Sequence, residues 1–345
     1  MATAMVTGGT GFLGGALIRE LLGQGWKVRA LVRASSNRRN LEGLEGALEL
    51  LVGDLQDRES IRRAMEGCEV VFHVAARYKL WNPAPEEIYR DNVDGTRNLL
   101  QVARDLRVAR IVYTSTVGVL KIPGNGLPAD ESRLGDLDEI HGHYKRSKWY
   151  AEACAREFAA EGLPVVIVNP TTPVGPFDIK PTPTGQMILD FLRGRMSGYT
   201  NTGLNLVPVE DVALGHILAA EKGAPGQRYI LGGQDMSLQK IFEVLSGLTG
   251  LPVPRFRIPR RALLPLALLS EGAARITGRP PRIPKEAAWM AQKHMYFDAT
   301  RAVRELGFSP GDASLALARA AHWFRDNGYI GARGPGGGIL ERASS

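Results

Sequence analysis

Cysteine is nearly absent from this chain, which carries two in 345 residues, Cys68 and Cys154. They are far apart and form no Cys-x-x-Cys. That excludes a disulfide framework and a cysteine-held zinc site, and it fits a reducing cytosol. Apolar runs are short, and none reaches the roughly 20 residues that a bilayer-spanning helix requires. The nearest candidate, 262–269, is interrupted by Pro265 and followed by Ser270-Glu271. It comes after the basic stretch Arg255-Phe256-Arg257-Ile258-Pro259-Arg260-Arg261. It reads as a buried packing helix, with a peripheral membrane contact as the alternative. The net charge of +7 is scattered, not gathered in a stripe, so no nucleic-acid partner is expected. Strand-like sequence begins almost at Met1, leaving no room for a signal peptide, and a cytoplasmic location is expected.

Glycine, by contrast, is abundant and placed with purpose. Thr7-Gly8-Gly9-Thr10-Gly11-Phe12-Leu13-Gly14 follows the apolar Ala4-Met5-Val6 and opens an amphipathic segment over 12–22. Strand, glycine turn and helix start come in the order of a dinucleotide-binding βα unit. Such glycines permit a tight turn and close approach of backbone to a pyrophosphate, which the helix N-terminus attracts. The spacing is Gly-x-x-Gly-x-x-Gly, so Gly8, Gly11, Phe12, Leu13 and Gly14 are the candidate phosphate contacts.

The first half alternates strand-like runs (4–6, 27–32, 48–52, 70–74, 110–114, 165–169) with helical patterns, including 86–106 and 143–161. That alternation predicts an α/β fold, a Rossmann-type doubly wound parallel sheet. After Pro170 prolines punctuate a loop-rich segment, and 171–330 reads as mainly a smaller C-terminal substrate domain. Arg228-Tyr229-Ile230-Leu231 reads as a further strand there, and 209–220 as a helix able to pack back on the 1–170 domain. The Gly-rich 331–345 reads as a disordered tail.

A second motif agrees with the glycine turn. Tyr144 and Lys148 stand four apart, on one face of a helix. A phenol beside an ammonium is a plausible acid/base near neutral pH, because the cation favours the phenolate. Arg33 ends the second strand where many NAD sites hold a carboxylate, and Arg38 follows in the same basic loop. Cations there favour the extra phosphate of NADP(H), with NAD(H) remaining open. Asp54, with Leu55, follows the third strand as an adenine contact or as the cap of a helix from Gln56. Val74, Ala75 and Ala76 close the fourth strand with small residues suited to close cofactor approach. Pro170, Thr171 and Thr172 follow the sixth, on the nicotinamide side.

Together the two motifs resemble the extended short-chain dehydrogenases/reductases. Further segments narrow the likeness: 38–44, 80–89, 178–185 and 202–207 resemble the hopanoid-associated sugar epimerases, which are similar to dihydroflavonol 4-reductases and nucleotide-sugar epimerases. The resemblance implies hydride transfer at a carbonyl or secondary alcohol, a homodimer, and a place in hopanoid lipid metabolism. It implies that Tyr144 moves the proton and Lys148 holds the ribose. Thr116, third in Thr114-Ser115-Thr116, would polarise the reacting oxygen, with Ser115 as the fallback. It also assigns Asn92 to bracing nearby backbone. Arg77, Lys79, Trp81, Asn169, Lys180 and Tyr199 are the candidate contacts to a polar or sugar-like substrate. Two departures stand out: threonine replaces the usual serine at Thr116, and Arg77 occupies a position expected to be acidic. A reductase is the first expectation, an epimerase the second, and a non-catalytic dinucleotide sensor or scaffold the third.

Overall fold

The computed structural model describes residues 2–78, 84–123, 127–277, 281 and 284–330. The expected tail, Lys79 and Trp81 lie outside the described residues. Strands β1 (Thr3–Thr7), β2 (Lys27–Val32), β3 (Leu48–Val52), β4 (Val70–His73), β5 (Arg110–Thr114) and β6 (Val165–Pro170) fall where the apolar runs predict them. After them come β7 (Thr172–Val174), β8 (Gly198–Thr200), β9 (Gly203–Pro208), β10 (Arg228–Leu231), β11 (Gln234–Ser237) and β12 (Phe256–Ile258).

The main sheet has seven parallel strands in the order β10-β6-β5-β4-β1-β2-β3. The order reverses between β1 and β4, and that crevice is where ligands bind in open α/β sheets. The seventh strand departs from the expected organisation. Arg228–Leu231 pairs in parallel with β6 and closes the edge of the first sheet, although it lies well beyond Pro170. Its apolar Tyr229, Ile230 and Leu231 are fully buried there, which is the burial that an outer strand flanked by helices needs.

Helices α1 (Phe12–Gly23), α2 (Arg58–Met65), α3 (Glu86–Tyr89), α4 (Gly95–Asp105) and α5 (His143–Ala160) belong to the first half. Later come α6 (Pro183–Leu192), α7 (Val209–Lys222), α8 (Leu238–Thr249), α9 (Arg260–Thr277), α10 (Lys285–Met290), α11 (Thr300–Leu306) and α12 (Ala313–Asp326). Successive strand residues face opposite ways. In β1, Ala4 and Val6 join a core with Leu17 and Leu21 of α1 and Val212 and Ile217 of α7. Met5 points into a second core with Ile61, Leu100 and Phe158 of α2, α4 and α5. A third core, built on Ile188, Phe242 and Phe324, sits beside the small β11-β9-β7 sheet. The expected continuous helix over 86–106 is broken by a π-helical turn, Arg90–Asp94. No helix among the described residues is long and apolar enough to cross a membrane.

Candidate active site

Gly8 adopts φ +73°, a region that side chains resist, and a Cβ there would lie 2.7 Å from the backbone of Ala75. Gly11 N–H donates to Gly8 O at 2.9 Å, which closes the turn. A Cβ on Gly14 would overlap the Gly8 carbonyl. Gly11 caps α1 with no side chain, so the first N–H groups of the helix, from Phe12, Leu13 and Gly14, have no side-chain cap among the described residues. A phosphate pair fits such a glycine-lined cradle.

Next to this cradle, at the outer edge, Arg33 and Arg38 are exposed. Arg33 lies 3.8 Å from Asp91, whereas Arg77 holds the same carboxylate at 2.7 Å. Asp91 is therefore already neutralised, and Arg33 keeps its charge for a ligand. Asp54 does not cap a helix from Gln56, because the helix begins at Arg58 and is capped by Asp57. Asp54 instead accepts from Gln56 N–H at 2.9 Å through Oδ1, in an Asx turn that leaves Oδ2 for a partner. Leu55 is half-buried, and its carbonyl is held by Asn98 at 2.9 Å.

The end of β4 is fixed by one hydrogen-bonded chain. Ala75 N–H donates to Thr7 Oγ1 at 3.2 Å, and Thr7 in turn contacts His73 Nδ1 at 2.8 Å. His73 Nε2 contacts Thr96 Oγ1 at 2.9 Å, and Thr96 donates to Asn92 O at 2.6 Å. Because Thr96 spends its proton on that carbonyl, it accepts from His73, which fixes the Nε2–H tautomer. Burial, with the Lys148 charge adding to it, pushes His73 down to about 3, so it stays neutral. Val74 and Ala75 are half-buried and Ala76 is exposed. All three follow on this pinned segment.

Asn92 sits inside the π-turn, a feature frequent at functional sites. Its Oδ1 accepts from Arg77 N–H at 2.7 Å, and its Nδ2 donates to Ser147 Oγ at 2.8 Å. Ser147 donates to Tyr144 O at 2.7 Å, so one amide joins the β4 loop to α5. Arg77 itself is bound by Asp91 at 2.7 Å and Glu87 at 2.9 Å. It is a strut to the π-turn, and its guanidinium is not offered to a substrate.

Tyr144 and Lys148 stand one turn apart near the start of α5. Lys148 is buried, donates from Nζ to Thr114 O at 2.6 Å, and lies 4.4 Å from the Tyr113 ring centroid. Burial pulls its ammonium down to about 7, against the opposing pull of Glu152. The expected lowering of the Tyr144 phenol is not found. Burial pushes it well up, and Glu286 adds to the effect. The physical reason is that Lys148 is spent on a backbone carbonyl, so the cost of desolvating a phenolate goes unopposed. Thr116 caps a short turn by accepting from Gly118 N–H at 3.1 Å, which leaves its O–H free to donate. Ser115 is buried, and its hydroxyl has no partner among the described residues. Thr116 is thus the better placed of the two.

Asn169 is wholly buried rather than presented to a ligand. Its Nδ2 donates to Thr116 O at 3.0 Å and to Glu152 Oε2 at 3.1 Å. Glu152 also pairs with Arg228 at 2.9 Å, so β10 supports the back of the site. Pro170 is buried at the end of β6, while Thr171 and Thr172 are half-buried, with Thr171 N–H bonded to Leu231 O at 3.2 Å. Lys180 is exposed. Tyr199 donates to Gln239 at 3.1 Å and packs edge-on against Phe242, so it belongs to the third core.

Three residues escape sequence reasoning. Tyr78 packs against Tyr144 with ring centroids 4.5 Å apart. Glu286 on α10 is buried against Gly142, just before the Tyr144 helix, and a Cβ on Gly142 would strike its carboxyl. Burial pushes this carboxyl up to about 7, with Lys145 pulling the other way. Asp178 is buried, and accepts from Thr182 Oγ1 at 2.8 Å. Tyr78, a few residues beyond the cofactor strand, and Asp178, at the head of the 178–185 segment, had a signal in the sequence; Glu286 had none.

Residues 4–232 match the family model described as the NAD dependent epimerase/dehydratase family. A Synechocystis sp. protein that carries the name dihydroflavonol 4-reductase is 48% identical over 329 residues, covering 94% of this chain and 95% of that one. Sterol demethylase protein B of Methylococcus capsulatus is 39% identical over 330 residues, covering 95% and 100%. The solved structure of gox2253 superposes with a TM-score of 0.86 at 44% identity, covering 96% and 100%. With the glycine turn at the switch point and the Tyr144–Lys148 turn of α5 on the page, the family match and these relatives agree: the chain is an enzyme that belongs to the NAD-dependent epimerase/dehydratase family of extended short-chain dehydrogenases/reductases.

Proposed function

We propose that this enzyme reduces a carbonyl of a small-molecule substrate, within hopanoid lipid metabolism, using NADP(H). The carrying observation is Lys148 Nζ on the Thr114 carbonyl at 2.6 Å, which ties the turn of α5 that bears Tyr144 to the strand end that runs on into Thr116. The bound nicotinamide would supply hydride at C4. Phe12, Leu13 and Gly14 would bind the pyrophosphate through their N–H groups. Asp54 would take the adenine, and Lys148 the nicotinamide ribose, with Pro170, Thr171 and Thr172 on the nicotinamide side.

Thr116 O–H would donate to the substrate oxygen, and Tyr144 would deliver its proton to that oxygen as negative charge develops there. A half-buried phenol that desolvation holds in its neutral form remains protonated at neutral pH, which suits a proton donor and hence the reducing direction. The exposed Arg33 and Arg38 support the NADP(H) preference. The reductase name of the Synechocystis relative and the sterol name of the Methylococcus relative support the reaction and the lipid-metabolic setting.

The test is to follow NADPH oxidation with triterpenoid ketones, flavanonols and nucleotide-sugars. One NADPH consumed per product from a ketone is the expected result. Tyr144→Phe should lower kcat by about 10²–10⁴-fold while leaving NADPH affinity within severalfold. Purified protein that retains NAD, isomerises a nucleotide-sugar and consumes no NADPH would be an epimerase and would overturn the proposal.

A further inference from the structure

The helix α9 presents an outer face of Pro265, Leu266, Leu269, Gly272, Ala273 and Ile276, at helical spacing and with no charge. All six are exposed, Leu269 at 72% and Ile276 at 89%. The opposite side, Leu263 and Ala267, is buried against Ala288 of α10. The helix is therefore packed on one side only, and the apolar stripe on the other faces solvent. Water-facing helices normally carry charge there.

At the N-terminal end of this helix stand Arg255, Arg257, Arg260 and Arg261, with Phe256 between them exposed at 70%. None of the four makes an ion pair among the described residues. Among the described residues Arg260 bonds to Asn201 O and to His294 Nδ1, and Arg257 to Gln239, none of them a carboxylate. Cations beside an uncharged apolar stripe complement a surface that is apolar within and anionic at its rim. A second copy of this chain would bring the same uncompensated arginines to the contact. An anionic bilayer matches both features, with the stripe at the acyl boundary and the arginines among headgroups.

We propose that α9 and the Arg255–Arg261 stretch form a peripheral docking face for an anionic lipid membrane. Docking in this way places α10 just behind the lipid contact. Glu286 of α10 lies against Gly142, at the start of the Tyr144 helix, and Trp289 stacks on His141 at 4.0 Å. The inference rests on α9 and the basic stretch that leads into it, and holds whichever reaction the site performs.

The test is flotation of the full chain with phosphatidylcholine vesicles, with and without phosphatidylglycerol. Binding is expected only with the anionic lipid and should weaken as salt rises. Leu269→Glu should reduce it more than tenfold, and Arg261→Ala about fivefold, as expected for one headgroup cation. NADPH affinity, read on the same variants, should not change, which separates lost docking from lost folding. Failure to float with the anionic vesicles overturns the proposal, as does flotation that Leu269→Glu leaves intact. A concentration-dependent dimer that Leu269→Glu dissociates, without vesicle binding, assigns the face to a second copy and overturns it as well.

Discussion

Glu286→Gln should make the enzyme more stable at alkaline pH and leave it nearly unchanged in mild acid. The carboxyl is 4% exposed, and burial raises it from an ordinary 4.5 to about 7. The folded value lies above the unfolded one. The favourable contribution is therefore complete below 4.5 and lost as pH climbs through about 7. At about 1.4 kcal/mol per tenfold change in proton affinity, the loss is on the order of 3 kcal/mol. Glutamine keeps the shape and carries no charge to bury, so the variant avoids that loss. Thermal unfolding of both proteins at pH 5 and pH 8.5 is the assay, with Tm expected to differ by a few degrees mainly at the higher pH. The same change removes a negative neighbour from Tyr144, so the alkaline limb of the kcat profile should move to lower pH. Equal stability differences at both pH values, or an unmoved alkaline limb, would refute the placement of this carboxyl beside the phenol.

Gly8→Ala should destabilise the fold by about 2–4 kcal/mol and abolish dinucleotide binding, because φ is +73° and the Ala75 backbone cannot yield. Chemical unfolding and NADPH titration read the two effects separately. Arg228→Ala strands the buried Glu152 carboxylate and should cost about 3–5 kcal/mol, with much of that recovered on adding Glu152→Gln. Arg33→Ala should weaken NADPH by about tenfold and leave NADH nearly unaffected, measured by quenching of protein fluorescence. Equal losses for both nucleotides would remove Arg33 from phosphate recognition.

The alternation of apolar runs located strands β1 to β6 almost to the residue, because most of these runs are buried on both faces and have no other way to hide; β3, at the sheet edge with Glu49 and Val52 exposed, is the exception. Glycine spacing marked the cradle for a similar reason: positive φ and backbone contact at Gly8 admit no other residue, so the need is written into the residue type. Tyr144 and Lys148 were legible because helical geometry makes four residues a single turn. Those constraints are local, and a sequence states local constraints directly. Contacts between distant segments are a different matter. That Arg228–Leu231 closes the sheet beside β6, that Asn169 serves Thr116 and Glu152 rather than a ligand, and that Arg77 is spent on Asp91 and Glu87 all depend on which segments meet. The protonation of the site depends on them too. Sequence set an ammonium beside a phenol and implied a lowered phenol. Folding instead bonded Lys148 to Thr114 O and brought Glu286 from a distant helix against the start of α5. Desolvation and through-space charge act over distances in the folded chain, and separation along the sequence does not encode them.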